Sequence, residues 1–153
     1  MVGPPLGKPN ANILEYYRDW IDRDGYPFWS FFENIKTWWE IRNLPNVLLL
    51  HFNNLKKDLP GEIRKIAAFL DIKIDPNKFN DIVHHCSFEY MKQNSSQILD
   101  IFPNFINKGI NNRWKDILTE EDNQKYERLC LERLGKECTM WVNHGIINPP
   151  SSL

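Results

Sequence analysis

The chain of 153 residues lacks the features of several protein classes. Its three cysteines are an odd number without paired spacing, which argues against a disulfide framework and favours reduced thiols. Residues 1–10 lack the apolar core of a signal peptide, and no apolar run approaches the roughly 18 residues that span a bilayer. We therefore expect a soluble, cytoplasmic protein without a membrane span.

A strong charge of one sign is also missing, because the formal net charge is only −1. No basic stripe follows any predicted helix, so we expect no nucleic-acid partner. The one dense group of metal-ligand residue types is His84-His85-Cys86. Neighbouring residues on a helix point about 100° apart, and no second cluster exists, so we expect no metal site.

Aromatic residues, in contrast, are abundant, at 13% with six tryptophans. Apolar residues at three- and four-residue spacing predict amphipathic helices that would bury many of these rings. Capping residues and prolines add start and stop signals, such as Pro60 in the first turn of one helix and Gly135 after another. The predicted helices are residues 11–22, 28–42, 58–70, 76–85, 87–94, 119–134 and 137–144; residues 1–10 are predicted as an extended lead-in and 146–153 as a tail.

One segment, residues 46–52, has the pattern of a strand. It is short, apolar on successive positions and preceded by Pro45, which is typical of a strand covered on both faces in a parallel sheet. A lone strand cannot satisfy its own backbone groups, so its neighbours would come from a partner chain or from another part of the protein. The uncovered sheet edge predicts self-association or exposed apolar surface.

The loop FINKGINNRW, residues 105–114, has neither helix nor strand periodicity. Lys108 supplies a positive charge, and Gly109 lets backbone N–H groups approach a ligand closely, which together suit a phosphate. Taken alone, Lys-Gly is more commonly an ordinary turn, so both interpretations stand at this level.

The order of the segments resembles the C-terminal half of the sulfotransferases that use 3′-phosphoadenosine 5′-phosphosulfate (PAPS). The matching pieces are WWEIRNLPNVLLLHFNNLKKDLPGEIRKIAAFLDI, HHCSFEYMKQN and FINKGINNRWKDILTEED. The resemblance implies an α/β fold, in which residues 1–153 form the C-terminal, mostly helical half of a P-loop-like three-layer sulfotransferase domain with one clear parallel-sheet strand.

The same resemblance implies the site residues. The loop Asn107-Lys108-Gly109 corresponds to the family's clamp on the 3′-phosphate, with Asn107 where many members have Arg. Cys86-Ser87-Phe88 corresponds to a Thr-Ser-Phe turn against the adenine, and Phe52 is a further candidate purine contact. For Phe88 and Phe52, plain packing in the core is the competing interpretation.

The implied function is transfer of a sulfuryl group from PAPS, without a metal, to a hydroxyl or amine group of a small-molecule acceptor. None of the chain's four histidines falls at the family's catalytic position, so we assign no catalytic residue and expect the chain alone to be inactive. The alternative is a catalytically inactive helical fragment or interaction module derived from the same fold.

Overall fold

The computed structural model describes residues 12–95 and 108–147. The predicted lead-in at residues 1–10, Asn107 and the end of the predicted tail therefore lie outside the described residues. The helices within the described ranges are α1 (Ile13–Asp22), α2 (Phe31–Glu40), α3 (Phe52–Lys57), α4 (Leu59–Phe69), α5 (Phe79–His85), α6 (Phe88–Gln93), a 3-10 helix (Arg113–Asp116) and α7 (Glu120–His144).

The chain divides into two compact units. The first comprises Met1–Val47 and Asn112–Leu153, and the second comprises Leu48–Asn111. Helices α1, α2 and α7 belong to the first unit, together with the 3-10 helix, and helices α3 to α6 belong to the second.

The core of the first unit forms where α1, α2 and α7 bring their apolar faces together. Ile21, Phe32 and Cys130 are its buried centre, with exposed fractions of 3%, 3% and 0%. Ile21 and Phe32 lie on the inner faces that the helical spacing predicts. Cys138 is also buried, and burial raises the pKa of its thiol to about 11. At neutral pH that thiol is protonated, which agrees with a structural role.

Side-chain caps fix the starts of these helices. Asn12 caps α1, and the Ser30 hydroxyl accepts a hydrogen bond of 3.0 Å from the backbone N–H of Glu33 at the start of α2. Thr119 begins α7 with a capping box, in which Asp122 returns the hydrogen bond. The sequence predicted Thr119 as this cap, and the structure confirms it.

Helix α7 is broken at Gly135, where φ is 73° and ψ is 170°. Such backbone angles are open almost only to glycine, so the helix ends and restarts at this residue. The prediction of two helical segments on either side of Gly135 is therefore confirmed. In the described ranges, no helix combines the length and the apolar character that crossing a bilayer requires.

The second unit is a run of four short helices that pack in chain order, α3 on α4, α4 on α5 and α5 on α6. Asp58 ends α3 and also begins α4, where its carboxylate accepts a hydrogen bond of 2.9 Å from the N–H of Gly61. Pro60 follows in the first turn of α4, as predicted, since that position needs no N–H donor.

The predicted strand at residues 46–52 is wrong. Residues 47–51 are neither helix nor strand, and Phe52 already begins α3. The backbone is extended at His51, with φ −115° and ψ 133°, but no residue within 12–95 and 108–147 belongs to a strand. A strand exists only through inter-strand hydrogen bonds, so the described part of the chain is helical and not α/β. The predicted sheet edge is accordingly absent from that part.

Candidate functional site

Phe88 is the first residue of α6, and the two residues before it connect the end of α5 to the start of α6. Helix α5 ends at His85 with Cys86 as its C-cap, and Ser87 adopts the extended conformation of an N-cap. The Ser87 hydroxyl accepts a hydrogen bond of 3.2 Å from the N–H of Tyr90. This hydrogen bond fixes the first turn of α6 and hence the place from which the Phe88 ring projects.

Gly109 lies directly against the Phe88 ring. A Cβ atom at Gly109 would come within 2.4 Å of both Cδ2 and Cε2 of Phe88, which is far inside van der Waals contact. Gly109 also has φ of +58°, in the left-handed region that side chains disfavour. Any other residue would therefore meet both backbone strain and the ring, so glycine is what lets this loop approach α6.

A second contact holds the same loop. The side-chain amide of Asn111 donates a hydrogen bond to Oδ1 of Asn53, in the first turn of α3. The backbone N–H of Asn53 in turn donates to Nδ1 of His51, at 3.1 Å. The loop at residues 108–111 is thus attached to α6 through Gly109 and to α3 through Asn111.

Two lysines approach the Phe88 ring. The ammonium groups of Lys56, from α3, and Lys92, from α6, each lie 5.8 Å from the ring centroid. These distances are in the range of cation–π attraction. Neither lysine is predicted as a site residue from the sequence. The available signal was for Lys92, which follows Phe88 by four residues on one helix and so faces the same side.

The other predicted site residues have mixed positions. Phe52 is 50% exposed at the start of α3, and its ring makes no aromatic contact with another described ring. Cys86 is exposed, and Lys108 is exposed beside Gly109. Asn107 lies outside the described residues. The structure therefore brings together Phe88, Gly109 and, through the chain, Ser87 and Lys108, whereas Phe52 stands apart from the Phe88 ring.

The adjacent histidines serve a packing role. The rings of His84 and His85 both meet the ring of Tyr90 edge-on, at centroid distances of 5.1 and 4.5 Å. These contacts join the end of α5 to α6. They thus help to hold Phe88 in place.

The chemistry available at this site is the binding of an anion. Lys56, Lys92 and Lys108 are exposed, and none of them forms an ion pair with another residue of the described ranges. The Phe88 ring lies near the ammonium groups of Lys56 and Lys92 and touches Gly109, which has positive φ and follows Lys108. Aromatic rings stack on nucleobases, and ammonium groups with open backbone turns hold phosphates.

Comparison with known proteins identifies the family. The profile of the sulfotransferase domain matches residues 5–137 of this chain. The chain belongs to the sulfotransferase family. Human sulfotransferase 1E1 is 30% identical to it over 143 residues, which are 88% of this chain and 48% of the relative. Mouse sulfotransferase 1B1 is 33% identical over 135 residues, which are 82% of this chain and 45% of the relative.

Solved structures of sulfotransferase relatives agree in fold. Mouse sulfotransferase SULT7A1 was crystallised with PAP, 3′-phosphoadenosine 5′-phosphate. It superposes with a TM-score of 0.69 at 23% identity, covering 86% of this chain and 57% of the mouse chain. Retinol dehydratase, crystallised with androsterone and PAP, gives a TM-score of 0.66 at 29% identity, covering 78% of this chain and 38% of its own. This sulfotransferase chain spans about half the length of the curated relatives that it matches.

Proposed function

We propose that this chain contributes the adenine and 3′-phosphate site of an enzyme that transfers a sulfuryl group from PAPS to a small-molecule acceptor. A hydroxyl or amine group of that acceptor would receive the sulfuryl group. The observation that carries the proposal is the contact between Gly109 and the Phe88 ring. It joins the two segments whose counterparts in the family would hold the phosphate and the base. Family membership and the two PAP-containing neighbours support the same assignment.

In this proposal Lys108 and Gly109 hold the 3′-phosphate. The lysine ammonium supplies charge-assisted hydrogen bonds, and the open backbone at Gly109 supplies N–H groups at close range. Asn107 would add a neutral amide donor. Phe88, held by the Ser87 cap, would offer its ring to the adenine, and exposed Cys86 and Phe52 would lie at the margin of the base.

These residues position the donor and leave the proton transfer to other groups. Sulfuryl transfer requires a base to take the acceptor proton and cations to stabilise the leaving phosphate. No histidine of the chain corresponds to the family's catalytic base, so this chain would contribute orientation of the donor. We therefore propose that the isolated chain binds PAP but turns over PAPS negligibly. An interaction module without nucleotide binding is the alternative that the experiment separates.

The test is calorimetric titration of the 153-residue chain with PAP. We expect saturable binding, and we expect Lys108→Met to weaken it about tenfold or more, since a hydrogen bond to a charged group contributes about 1.5–3 kcal/mol. Lys78→Met is the matched control, because Lys78 is an exposed lysine of the same unit at the start of α5.

Two outcomes would contradict the proposal. If the chain binds no PAP, it is better described as an interaction module. Equal affinities of the Lys108→Met and Lys78→Met variants would show that PAP binds somewhere other than the Lys108 loop. An assay of the chain with PAPS and phenolic or amine acceptors, followed by release of PAP, checks the expected lack of turnover.

A further inference from the structure

We propose that Lys56 and Lys92 are anion-binding residues of the nucleotide site, which act on the same phosphate as Lys108. This inference rests on the proposed function. It adds to the nucleotide site two residues that the family motifs do not include. The observation behind it is the pair of ammonium groups, each 5.8 Å from the centroid of the Phe88 ring.

Both lysines are free to meet a ligand. They are exposed, and neither forms an ion pair with another residue that the structure describes. Glu89, the acidic residue next to Phe88, is exposed and forms no ion pair with either lysine within the described ranges. The charge of each ammonium group is therefore available to an anionic ligand that binds beside the ring.

The phosphate that Lys108 and Gly109 would hold is within reach of their charges. The edge of the Phe88 ring touches Gly109, and the centroid lies one ring radius behind that edge. Each ammonium group is therefore within about 10 Å of Gly109, which is about one Debye length at 0.1 M salt. At that range their field adds to the field of Lys108.

The ring gives the lysines a defined position. Lysine side chains are long and lose conformational entropy when they are held in place. Attraction to the face of Phe88 restrains both ammonium groups before the ligand arrives, so less entropy is lost on binding.

A simpler explanation is that these lysines only complement helix dipoles. Lys56 lies in the last turn of α3 and Lys92 in the last turn of α6, where cations are favourable. Lys57 separates the two explanations, because it lies in the same last turn of α3 and is exposed, but has no contact with the Phe88 ring. Lys57→Met is therefore the matched control.

The experiment is titration of the full chain and its variants with PAP at two salt concentrations. We expect Lys56→Met and Lys92→Met each to weaken PAP binding about threefold to fivefold, and the double variant about tenfold or more, as for partly exposed charge pairs. Lys57→Met should bind as the wild type does. Arginine at both positions should restore the affinity, because the charge and the attraction to the ring are kept.

Salt provides a second measurement. Raising the ionic strength from about 0.05 M to about 0.5 M screens exposed charges, so the wild-type affinity should fall more than that of the double variant. Thermal unfolding of each variant should match the wild type, because both side chains are exposed.

The outcomes distinguish this inference from the proposed function. If PAP binds and Lys108→Met weakens it, but the Lys56 and Lys92 variants bind as tightly as Lys57→Met, the inference is wrong and the proposed function stands. If all three variants, including Lys57→Met, weaken binding equally, the lysines act only through general charge and the inference is also wrong. A chain that binds no PAP at all overturns both proposals.

Discussion

Asp122 is a polar residue of the first unit that is only 5% exposed. Its carboxylate accepts hydrogen bonds of 2.8 and 3.1 Å from Nε and Nη2 of Arg18, 104 residues away in the sequence. It also accepts from the backbone N–H and the hydroxyl of Thr119, at 3.0 and 2.6 Å. One side chain thus caps α7 and ties its start to α1.

These contacts make the stability of the unit dependent on pH. The hydrogen bonds from Arg18, and then those from Thr119, hold the pKa of the Asp122 carboxyl well below its ordinary value of 3.8. The unfolded chain therefore binds a proton at higher pH than the folded chain does. The resulting stabilisation is complete above about pH 5 and is lost progressively as the pH falls below the ordinary carboxyl pKa.

We predict that Asp122→Asn lowers the unfolding midpoint by several degrees at neutral pH. The difference from the wild type should shrink as the pH falls below about 4, because the unfolded wild-type chain then takes up a proton at Asp122 and the folded state loses the advantage of its ionised carboxylate. Circular dichroism melts from pH 3 to pH 7, in steps of about one unit, measure both effects. Glu121→Gln is the control, since Glu121 is exposed on the neighbouring position, and its midpoint should stay near that of the wild type. A difference that does not change with pH would contradict the assigned cause.

At the scale of elements, α7 is the longest helix in the described ranges, and Gly135 interrupts it. Gly135 has backbone angles that only glycine adopts readily, and a Cβ placed there would meet nothing within 4 Å. Any cost of a side chain at Gly135 therefore comes from the backbone alone.

We predict that Gly135→Ala destabilises the protein by about 1–3 kcal/mol, the usual cost of such a conformation for a residue with a Cβ. Urea unfolding measures the change. Lys136→Ala is the control, because Lys136 is the next residue and is exposed. Its free energy of unfolding should stay within about 0.5 kcal/mol of the wild-type value. If Gly135→Ala is neutral or stabilising, the break in α7 is not imposed by the backbone of Gly135.

At the scale of the whole molecule, large apolar side chains remain exposed in the part of the chain that the structure describes. Trp29 is 75% exposed, Phe28 62% and Trp38 52%. A soluble monomer rarely leaves many large rings in water, because each one buried would remove a substantial apolar area from solvent. The sequence predicted self-association through a sheet edge, but the described residues contain no such edge. Self-association stays a prediction, which now rests on the exposed rings instead.

We predict that the isolated chain self-associates as its concentration rises. Sedimentation velocity over a range of concentrations should show a mass that increases above 18.2 kDa. Trp29→Ser should weaken the association, because it removes the most exposed aromatic ring of the described residues. Lys36→Ser, on the adjacent helix α2, should leave the association unchanged. A constant monomeric mass at all concentrations would show that the exposed rings do not cause self-association.

Particular residues show how far the sequence predicted the fold and the site. Pro60, Thr119 and Gly135 are local signals whose effect depends on a few neighbouring residues, and the helices that they bound were predicted correctly. Residues 46–52 were predicted wrongly because an apolar run is compatible with a strand only if a neighbouring strand pairs with it. Helix α3 was missed for the same reason, since its first residue was assigned to that strand.

The sequence by itself determined the family, the helix boundaries at caps and glycines, and the candidate loop at Lys108-Gly109, because these depend on residue order and local backbone preference. Only the tertiary structure decided that Gly109 touches Phe88, that Lys56 approaches that ring, and that Arg18 pairs with Asp122. Such pairs are far apart along the chain or come from different helices. Their meeting depends on how the helices pack, which local preference does not encode.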